Sequence, residues 1–273
     1  MEYISINNKV KVPVLGLGTW GMGGGMRPDY SQDKKYIEAI QYALSKSIIH
    51  IDTAEIYAAG HAEQLVGEAV KKFDRKKLFI TTKVSPHHLF TSGQIIKSCN
   101  SSLKRLKMDY IDLYLIHWPN PLAPMKNIMA TFDKLVDEDK IRFIGVSNFS
   151  IHQLADAQKY TKNKIVSNQV QYSLLHREPE KEMLEFCVQN KIILTAYSPL
   201  GQGQLITSSL PALDRIAEKY NKTPIQVALR WLIEKPQVIV IPKASSKAHV
   251  DELLGSLNWK LKKEDQEFLS HKV

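Results

Sequence analysis

The sequence contains few cysteines: only Cys99 and Cys187 occur among its 273 residues. Two thiols are too few for the dense disulfide framework that stabilises small secreted domains. Both cysteines fall on apolar positions of predicted helices, where a free cysteine behaves as a small hydrophobic side chain. We therefore expect both thiols to be free and to lie in the hydrophobic core.

Long apolar runs and targeting signals are also missing. No stretch approaches the roughly 20 apolar residues that are needed to span a bilayer, and residues 1 to 10 do not combine a basic segment with an apolar one. We expect a soluble, cytoplasmic protein that does not bind membranes. No linker composition or internal repeat interrupts the sequence, which favours a single domain over residues 1–273.

Metal-ligand spacings are absent as well. His87 and His88 are adjacent, which is a poor arrangement for binding one ion, and neither an HExxH motif nor a cysteine cluster occurs. We predict no metal site. The formal net charge is +9, but the lysines are scattered among acidic residues and no aromatic residues are spaced between them. We therefore expect no nucleic-acid partner, although a positive site entrance would attract a phosphate-bearing cofactor.

Short apolar runs rich in β-branched residues recur along the chain, and a stretch with helical spacing follows each of them. The eight runs cover residues 14–18, 48–52, 78–83, 111–117, 142–148, 165–169, 192–198 and 238–243. Strands that are apolar on both faces and alternate with helices indicate a buried parallel sheet, and eight such units can close into a (β/α)8 TIM barrel. The opening segment alternates around Asn7-Asn8, which predicts a β-hairpin at the bottom of the barrel.

Two helix starts are marked by capping boxes. Thr91 precedes Gln94 by three residues, and Thr223 precedes Gln226 by the same spacing with Pro224 between them. In this arrangement a hydroxyl and an amide satisfy backbone N–H groups that the first turn leaves unpaired. The pattern predicts helices that begin near residues 92 and 224.

Polar side chains stand where the predicted strands end. Because the carboxyl ends of all barrel strands meet at one rim, where barrel enzymes have their active sites, we expect these side chains to lie together. They are Asp52, Lys83, His117, Ser147, Asn148, Gln169, Tyr197, Ser198 and Lys243.

Four of the groups near this rim can act together on a carbonyl. A phenol such as that of Tyr57 has a pKa near 10, and an ammonium group within about 4 to 6 Å is expected to lower that pKa. Lys83 can supply the ammonium, and Asp52 can keep it charged. His117 can donate a hydrogen bond to a carbonyl oxygen. No side chain carries a hydride, so reduction would need a nicotinamide or a flavin.

With these residues placed, the sequence closely resembles the aldo-keto reductase family of (β/α)8 oxidoreductases. The resemblance covers nearly the whole chain, from "GLGTW" (16–20) through "DTAEIY" (52–57), "TTKV" (81–84), "IGVSNF" (144–149) and "AYSPLGQG" (196–203) to "IPKASS" (241–246). It implies that Asp52, Tyr57, Lys83 and His117 are the catalytic residues, with Tyr57 as the general acid.

The resemblance also implies a nicotinamide cofactor and its binding residues. Ser147, Asn148 and Gln169 would hold the carboxamide, Tyr197 would stack on the ring, and Ser198, Leu200 and Gly201 would lie over the pyrophosphate. Lys243, Ser245 and His249 fall near the position of the 2′-phosphate of NADPH, and Glu252 near the adenine, while Gly18 and Thr19 belong to the cofactor side of the first loop. Trp20 and Trp118 would form apolar walls of the substrate pocket.

The chain departs from the family pattern in two places. Where the family often has Ser or Thr, then Arg and Asn, this chain has Ala244, His249 and Leu253. An arginine can bind a phosphate with two hydrogen bonds, which histidine cannot. We expect NADPH because Lys243 remains, with NADH as an alternative cofactor. Only a short tail follows the helix predicted near residues 246–256, which implies an open substrate site.

The resulting hypothesis is an NAD(P)H-dependent reductase of aldehydes or ketones that acts on a small carbonyl compound and is a monomer. A cofactor-sensing protein of the same fold with little turnover is one alternative. A Schiff-base aldolase that uses Lys83 as its nucleophile is another. Small aldehydes, dicarbonyls, sugar aldehydes and keto-sugars all remain open as substrates.

Overall fold

The computed structural model describes residues 1–6, 10–208 and 210–273. Strands β1 (Tyr3–Ile6) and β2 (Val10–Pro13) pair antiparallel, with Tyr3 opposite Pro13. This pairing confirms the N-terminal hairpin. The predicted turn at Asn7-Asn8 lies outside the described residues.

Eight parallel strands follow, and each pairs with the next one in chain order. They are β3 (Leu17–Gly18), β4 (His50–Asp52), β5 (Phe79–Val84), β6 (Ile111–Ile116), β7 (Ile141–Ser147), β8 (Ile165–Gln171), β9 (Ile193–Tyr197) and β10 (Val238–Val240). A parallel bridge joins Leu15 to Val240 and closes the sheet, with Gly16 N–H donating to the Val240 carbonyl over 2.8 Å. This closure gives the predicted (β/α)8 barrel.

The closing seam requires glycine. A Cβ atom on Gly18 would stand 2.6 Å from the carbonyl oxygen of Ile241, and real Cβ atoms do not approach a backbone atom so closely. Strand β3 and the residues that directly follow β10 can therefore approach each other only because Gly18 has no side chain.

Helices connect the strands and cover the outside of the barrel. They are α1 (Asp33–Ser45), α2 (His61–Val70), α3 (Ser92–Leu106), α4 (Met125–Asp137), α5 (Ile151–Gln158), α6 (Met183–Gln189), α7 (Gln204–Thr207), α8 (Pro211–Tyr220), α9 (Pro224–Ile233), α10 (Lys247–Leu254) and α11 (Lys263–Lys272). Both predicted capping boxes, at Thr91 and Thr223, are present. A third, at Ser150 with Gln153, begins α5. No helix among these ranges is long and apolar enough to cross a membrane.

The core has two parts. The larger part fills the layer between the strands and the helices, and it includes Cys99 and Cys187, both free and buried as expected. The smaller part fills the barrel interior, where Ile6 and Val12 of the hairpin pack with Phe79 at the start of β5. The hairpin therefore plugs the bottom of the barrel and leaves the rim at the other end open.

The C-terminal tail forms a helix that the sequence patterns did not predict. In α11, Leu269 is fully buried, and the Trp231 indole N–H donates to Ser270 Oγ over 3.2 Å. Lys219 of α8 forms an ion pair of 2.8 Å with Asp265. The tail thus packs on the outer helices α8 and α9.

Candidate active site

A buried ion pair joins the ends of β4 and β5. The Lys83 side chain is fully buried, and its Nζ donates to Asp52 Oδ1 over 2.5 Å and to the Thr53 carbonyl over 2.9 Å. A third hydrogen bond runs from Nζ to the Tyr57 hydroxyl over 3.2 Å. Because an ammonium group has three N–H donors, this set uses all of them.

The surroundings keep this lysine charged. Burial alone lowers the pKa of Lys83, but the negative charge of Asp52 and the contact with Tyr57 outweigh it, so the pKa lies above its usual value of 10.5. The second oxygen of Asp52 accepts a hydrogen bond of 2.8 Å from Gln169. The carboxylate is thus held from two sides, and a raised lysine pKa opposes the use of Lys83 as a Schiff-base nucleophile.

Tyr57 lies on a short 3₁₀ turn, Tyr57–Gly60, that follows β4, and its ring contacts two aromatic neighbours. Its ring meets that of Trp20 edge to face at 5.0 Å between centroids, and that of His117 at 5.7 Å. The two contacts restrict the movement of the Tyr57 ring. The hydroxyl group therefore has little freedom to leave Lys83.

The expected lowering of the phenol pKa was wrong. Burial raises the pKa of Tyr57 and has the largest influence; the charge of Lys83 lowers it, the charge of Asp52 raises it, and the balance lies above 10.0. The loss of water around the phenol and the charge of the nearby carboxylate both disfavour a phenolate, and together they outweigh the ammonium group. Tyr57 therefore holds its proton firmly at neutral pH.

His117 follows β6 and is neutral at physiological pH. Only 7% of the residue is exposed, and burial together with the positive charge of Lys83 lowers the pKa of His117 to about 3. Its Nδ1 atom is buried and has no hydrogen-bond partner within the described ranges. A neutral imidazole that faces Tyr57 can offer one N–H group to a ligand without competing for its proton.

The ends of β7, β8 and β9 carry a connected set of polar side chains. The Ser147 hydroxyl donates to the Gln169 carbonyl over 2.9 Å, and the Asn148 amide donates to Ser147 Oγ over 3.0 Å. The Tyr197 hydroxyl donates to Asn148 Oδ1 over 3.1 Å. These residues thus come together as predicted, although β8 continues two residues beyond Gln169, to Gln171.

The loops of the first and eighth barrel units meet beside this set. Thr19 Oγ1 donates to the Asp52 carbonyl over 3.0 Å. Lys243, three residues beyond β10, is exposed, and a Cβ atom on Gly21 would lie 3.2 Å from its Nζ. In the loop after β9, Ser198 and Gly201 both have positive φ angles, 49° and 60°. Leu200 between them packs against the core.

Three of the remaining predicted cofactor residues, Ser245, His249 and Glu252, lie just before or within α10. Ser245 Oγ lies 3.3 Å from His249 Nδ1, and the His249 backbone N–H donates to Ser246 Oγ, which caps the helix. Glu252 accepts a hydrogen bond from the Thr223 hydroxyl at the start of α9. That carboxylate therefore joins two helices in addition to any contact with a ligand.

An open groove of about 950 Å³ lies beside the polar set, with Trp118, Asn148 and Tyr197 in its lining. Trp118 is 48% exposed and Trp20 is 50% exposed. Trp20 packs edge to face on Tyr57, and Trp118 directly follows His117 in the chain, so both half-exposed indoles lie at the rim in positions that suit the walls of a substrate pocket. Within the described ranges, no group of three or more His, Cys, Asp or Glu side chains could hold a metal ion.

One buried acid near the site was missed in the sequence. Glu55 Oε1 accepts hydrogen bonds from the Ser85 backbone N–H over 2.5 Å and from His88 Nδ1 over 2.9 Å, and Oε2 accepts one from the Ser98 hydroxyl. Glu55 thus connects the loop that carries Tyr57 with the loop that follows Lys83. The available signal was its place between a buried strand and Tyr57, combined with Ser98 on the apolar face of α3.

Comparison with known proteins places the chain in a family. The sequence model of the Aldo/keto reductase family matches residues 14–271. Methylglyoxal reductase YeaE of Escherichia coli (strain K12) is 38% identical over 259 residues, which make up 92% of this chain and 87% of that protein. Glyoxal reductase of Bacillus subtilis (strain 168) is 35% identical over 272 residues, or 97% of this chain and 91% of that protein.

Solved structures of other proteins support the same family assignment. The thermostable aldo-keto reductase Tm1743, in complex with the inhibitor epalrestat, superimposes with a TM-score of 0.96 at 41% identity, covering 100% of both chains. An aldo/keto reductase from Klebsiella pneumoniae in complex with NADP and acetate gives a TM-score of 0.89 at 34% identity, covering 96% of this chain and 92% of that one. This chain belongs to the aldo/keto reductase family and is an oxidoreductase, which confirms the resemblance.

Proposed function

We propose that this enzyme reduces small aldehydes with NADPH, and that 2-oxoaldehydes such as methylglyoxal and glyoxal are its first candidate substrates. The main support for this proposal is that one buried ammonium group, that of Lys83, contacts both Asp52 and the Tyr57 hydroxyl. The names of the methylglyoxal and glyoxal reductases among its relatives support the choice of substrate.

The residues at the rim fit a nicotinamide cofactor. Tyr197 offers a half-buried ring on the groove wall, and Asn148 offers an amide beside it. When bound, NADPH would supply the hydride that no side chain can provide. Ser147, Asn148 and Gln169 would hold the carboxamide. A solved relative from Klebsiella pneumoniae contains NADPH, which supports this cofactor.

The phosphate groups would lie along the loops that follow β9 and β10. Ser198, Leu200 and Gly201 would cover the pyrophosphate, with Gly18 at the end of β3 and Thr19 at the start of the following loop nearby. Lys243, Ser245 and the start of α10 combine a positive charge with a hydroxyl and the backbone N–H groups of a helix N-terminus, a combination that suits a 2′-phosphate. His249 and Glu252 would lie at the adenosine end.

The side chains around Tyr57 have separate roles in this proposal. Tyr57 donates its hydroxyl proton to the carbonyl oxygen, and Lys83 then faces the phenolate oxygen that remains. Asp52 keeps Lys83 charged in a buried site. The neutral His117 donates a hydrogen bond that orients the carbonyl oxygen, and Trp20 and Trp118 form apolar walls that limit access of water.

The test is to add methylglyoxal, glyoxal or glycolaldehyde to purified protein with NADPH or NADH, and to follow nicotinamide absorbance and the alcohol product. The proposal predicts that NADPH is consumed in a one-to-one ratio with product. Binding of NADPH without turnover on any aldehyde would instead favour the sensing protein. Failure to bind either cofactor would contradict the proposal altogether.

We also propose that residues 1–273 form one domain that works as a monomer in the cytoplasm, on a small molecule and not on nucleic acid. The continuous core, which joins helices from both ends of the chain, supports one domain. The free, buried thiols of Cys99 and Cys187 suit a reducing compartment. Size-exclusion chromatography with light scattering tests the monomer against a mass of 31.1 kDa.

A further inference from the structure

The turn that carries Tyr57 has a strained backbone. Directly after Tyr57, the residues Ala58, Ala59 and Gly60 have positive φ angles of 48°, 52° and 91°. Glycine adopts such angles readily, whereas the Cβ atom of an alanine comes too close to the following carbonyl oxygen. Two consecutive alanines in this conformation persist only where the surrounding structure holds them. The position of Tyr57 therefore depends on the contacts that hold this turn.

Glu63 joins the end of this turn to the strand that carries Lys83. It lies in the first turn of α2 and is fully buried. Its Oε1 atom accepts a hydrogen bond of 2.6 Å from the hydroxyl of Thr82, which precedes Lys83 on β5, and its Oε2 atom accepts one of 2.6 Å from Arg105 Nε of α3. Burial raises the pKa of Glu63, and the charge of Arg105 only partly offsets this effect. The buried carboxylate therefore depends on Arg105 as its partner.

Arg105 also packs against the backbone of the turn. A Cβ atom on Gly60 would lie 2.7 Å from Arg105 Cδ and 2.8 Å from Arg105 Nε, so this side chain lies directly on the last residue of the turn. The same guanidinium group donates to Ser102 Oγ of α3 over 3.1 Å. Because Glu63 and Ser102 both bind the planar guanidinium group, Arg105 cannot move away from Gly60 without losing hydrogen bonds.

The start of the same segment is joined to the same part of the barrel. Glu55 accepts a hydrogen bond from the backbone N–H of Ser85, directly after β5, and another from the Ser98 hydroxyl of α3. Glu55 and Glu63 thus stand on either side of the turn, and each connects it to α3 and to β5 or the residue that follows β5. The turn that carries Tyr57 and the strand that carries Lys83 therefore share one framework.

We propose that Glu63 and Arg105 are positioning residues for the reaction. Together with Glu55 they hold the strained turn, and so keep the Tyr57 hydroxyl against Lys83. The inference rests on the proposed reductase function, in which Tyr57 donates the proton, and it adds two residues that lie behind the site between α2, β5 and α3. A displaced hydroxyl would be poorly placed for proton transfer to the carbonyl oxygen, which lowers kcat. The affinity for NADPH should not depend on these two residues.

The first test compares Arg105→Met with Arg230→Met. Arg230 is a matched control, because its Nε atom also forms a 2.6 Å ion pair with a buried glutamate, Glu234 of α9, and it binds Glu2 beside the N-terminal hairpin, at the closed end of the barrel. Both variants should lose stability. With methylglyoxal, kcat should fall at least about tenfold in Arg105→Met and less than about twofold in Arg230→Met, while the dissociation constant for NADPH stays within about twofold of wild type in both. Equal effects on kcat in the two variants would overturn the positioning role.

Thr82→Val is a milder variant that carries the test if Arg105→Met does not fold. It removes the hydroxyl that binds Glu63 and keeps the shape of the side chain. The proposal predicts that kcat falls about two- to fivefold, with the affinity for NADPH unchanged. An unchanged kcat in Thr82→Val would count against the proposal in the same way.

A double-mutant cycle tests whether Arg105 acts through Tyr57. In the Tyr57→Phe background the hydroxyl that must be positioned is absent, so the addition of Arg105→Met should lower the remaining kcat less than about twofold. In the wild-type background the same substitution should lower kcat about tenfold or more. A merely structural role would lower kcat by the same factor in both backgrounds, and that result would contradict the proposal.

Hydrogen exchange tests the turn without any turnover. The Ala58 N–H donates to the Gly25 carbonyl over 2.7 Å, and release of the turn would expose this group to water. The amides of Ala58 and Ala59 should exchange at least about tenfold faster in Arg105→Met than in wild type, and within about twofold of wild type in Arg230→Met. Equal exchange in Arg105→Met and wild type would show that Arg105 does not hold the turn.

The proposed function and the positioning role fail in different ways. If the wild-type enzyme does not oxidise NADPH with methylglyoxal, glyoxal or glycolaldehyde, the proposed function itself is wrong, and hydrogen exchange still decides whether Arg105 holds the turn. If the wild-type enzyme reduces these aldehydes but Arg105→Met has the kcat and the exchange rates of wild type, only the positioning role is wrong.

Discussion

Lys83 Nζ stands 3.2 Å from the hydroxyl oxygen of Tyr57, while it forms a 2.5 Å ion pair with Asp52. In the resting protein the phenol is buried enough that its pKa is raised despite this contact. The lysine therefore does not ionise Tyr57 in advance. In the proposed reaction, Lys83 would instead stabilise the phenolate that remains after Tyr57 has given up its proton.

Removal of the positive charge of Lys83 should lower both activity and stability, and a second substitution should restore only the stability. In Lys83→Met we expect kcat to fall at least about 100-fold, and the free energy of unfolding to fall by about 3 to 5 kcal/mol because Asp52 is left buried and unpaired. The double variant Asp52→Asn, Lys83→Met should recover most of the stability but none of the activity. Urea unfolding and NADPH-linked assays measure both. A single variant as stable as wild type would contradict the ion-pair account.

Because two histidines are buried, the free energy of unfolding should decrease at acidic pH. The pKa values of His50 and His117 are each lowered to about 3, with burial as the main cause and Lys83 as the second. Between about pH 3 and pH 6.5 the unfolded chain binds protons that the folded chain does not, so stability is lost as the pH falls through this window. Each histidine contributes a slope of up to about 1.4 kcal/mol per pH unit.

The variant His50→Gln isolates one of these contributions. Urea unfolding at several pH values between 4.5 and 6.5 should show a shallower loss of stability in the variant than in the wild type. His50 lies on β4, and its Nε2 atom forms a hydrogen bond of 3.0 Å with Thr81 Oγ1. Identical slopes would mean that the pKa of His50 does not differ between the folded and the unfolded protein.

Lys243 should determine how much more tightly the protein binds NADPH than NADH. We expect Lys243→Ala to weaken NADPH binding about tenfold or more, because a charge-assisted hydrogen bond to the 2′-phosphate is lost. NADH binding should change less than about twofold. Quenching of tryptophan fluorescence measures both affinities. Lys263→Ala is the matched control, since that side chain is 90% exposed on α11; a similar loss in both variants would indicate only a general effect of charge.

Glu55 should affect catalysis indirectly, because it positions the loops that carry Tyr57 and follow Lys83. Replacement by Gln removes the charge that accepts hydrogen bonds from Ser85, His88 and Ser98. We expect a loss of about 2 kcal/mol in stability and a fall in kcat with little change in the affinity for NADPH. His88→Phe removes only the half-exposed partner and should cost less than about 1 kcal/mol. Unchanged kcat in Glu55→Gln would limit Glu55 to a structural role.

Much of the fold could be predicted because the barrel repeats one simple pattern. The eight apolar runs each became a strand, and the polar residues at their ends, such as Asp52 and His117, came together because parallel strands share one rim. The seam at Gly18 and the plug at Ile6 depend on how the ends of the chain pack. Periodicity along the sequence does not contain that information.

The missed features depend on contacts between distant segments. Helix α11 is mostly polar and carries one fully buried apolar residue, Leu269, so its stability comes from packing on Trp231 and not from an apolar stripe. The raised pKa of Tyr57 depends on the depth of burial, which only the assembled site defines. Glu55 and Ser98 meet across 43 residues of sequence.

The most direct test of the account is the change Tyr57→Phe, which removes one hydroxyl and keeps the ring against Trp20 and His117. With methylglyoxal and NADPH, kcat should fall by a factor of about 100 to 10,000, while the dissociation constant for NADPH should stay within about twofold of the wild-type value. A variant that retains more than about a tenth of the wild-type kcat would show that another group donates the proton, and the central claim would fail.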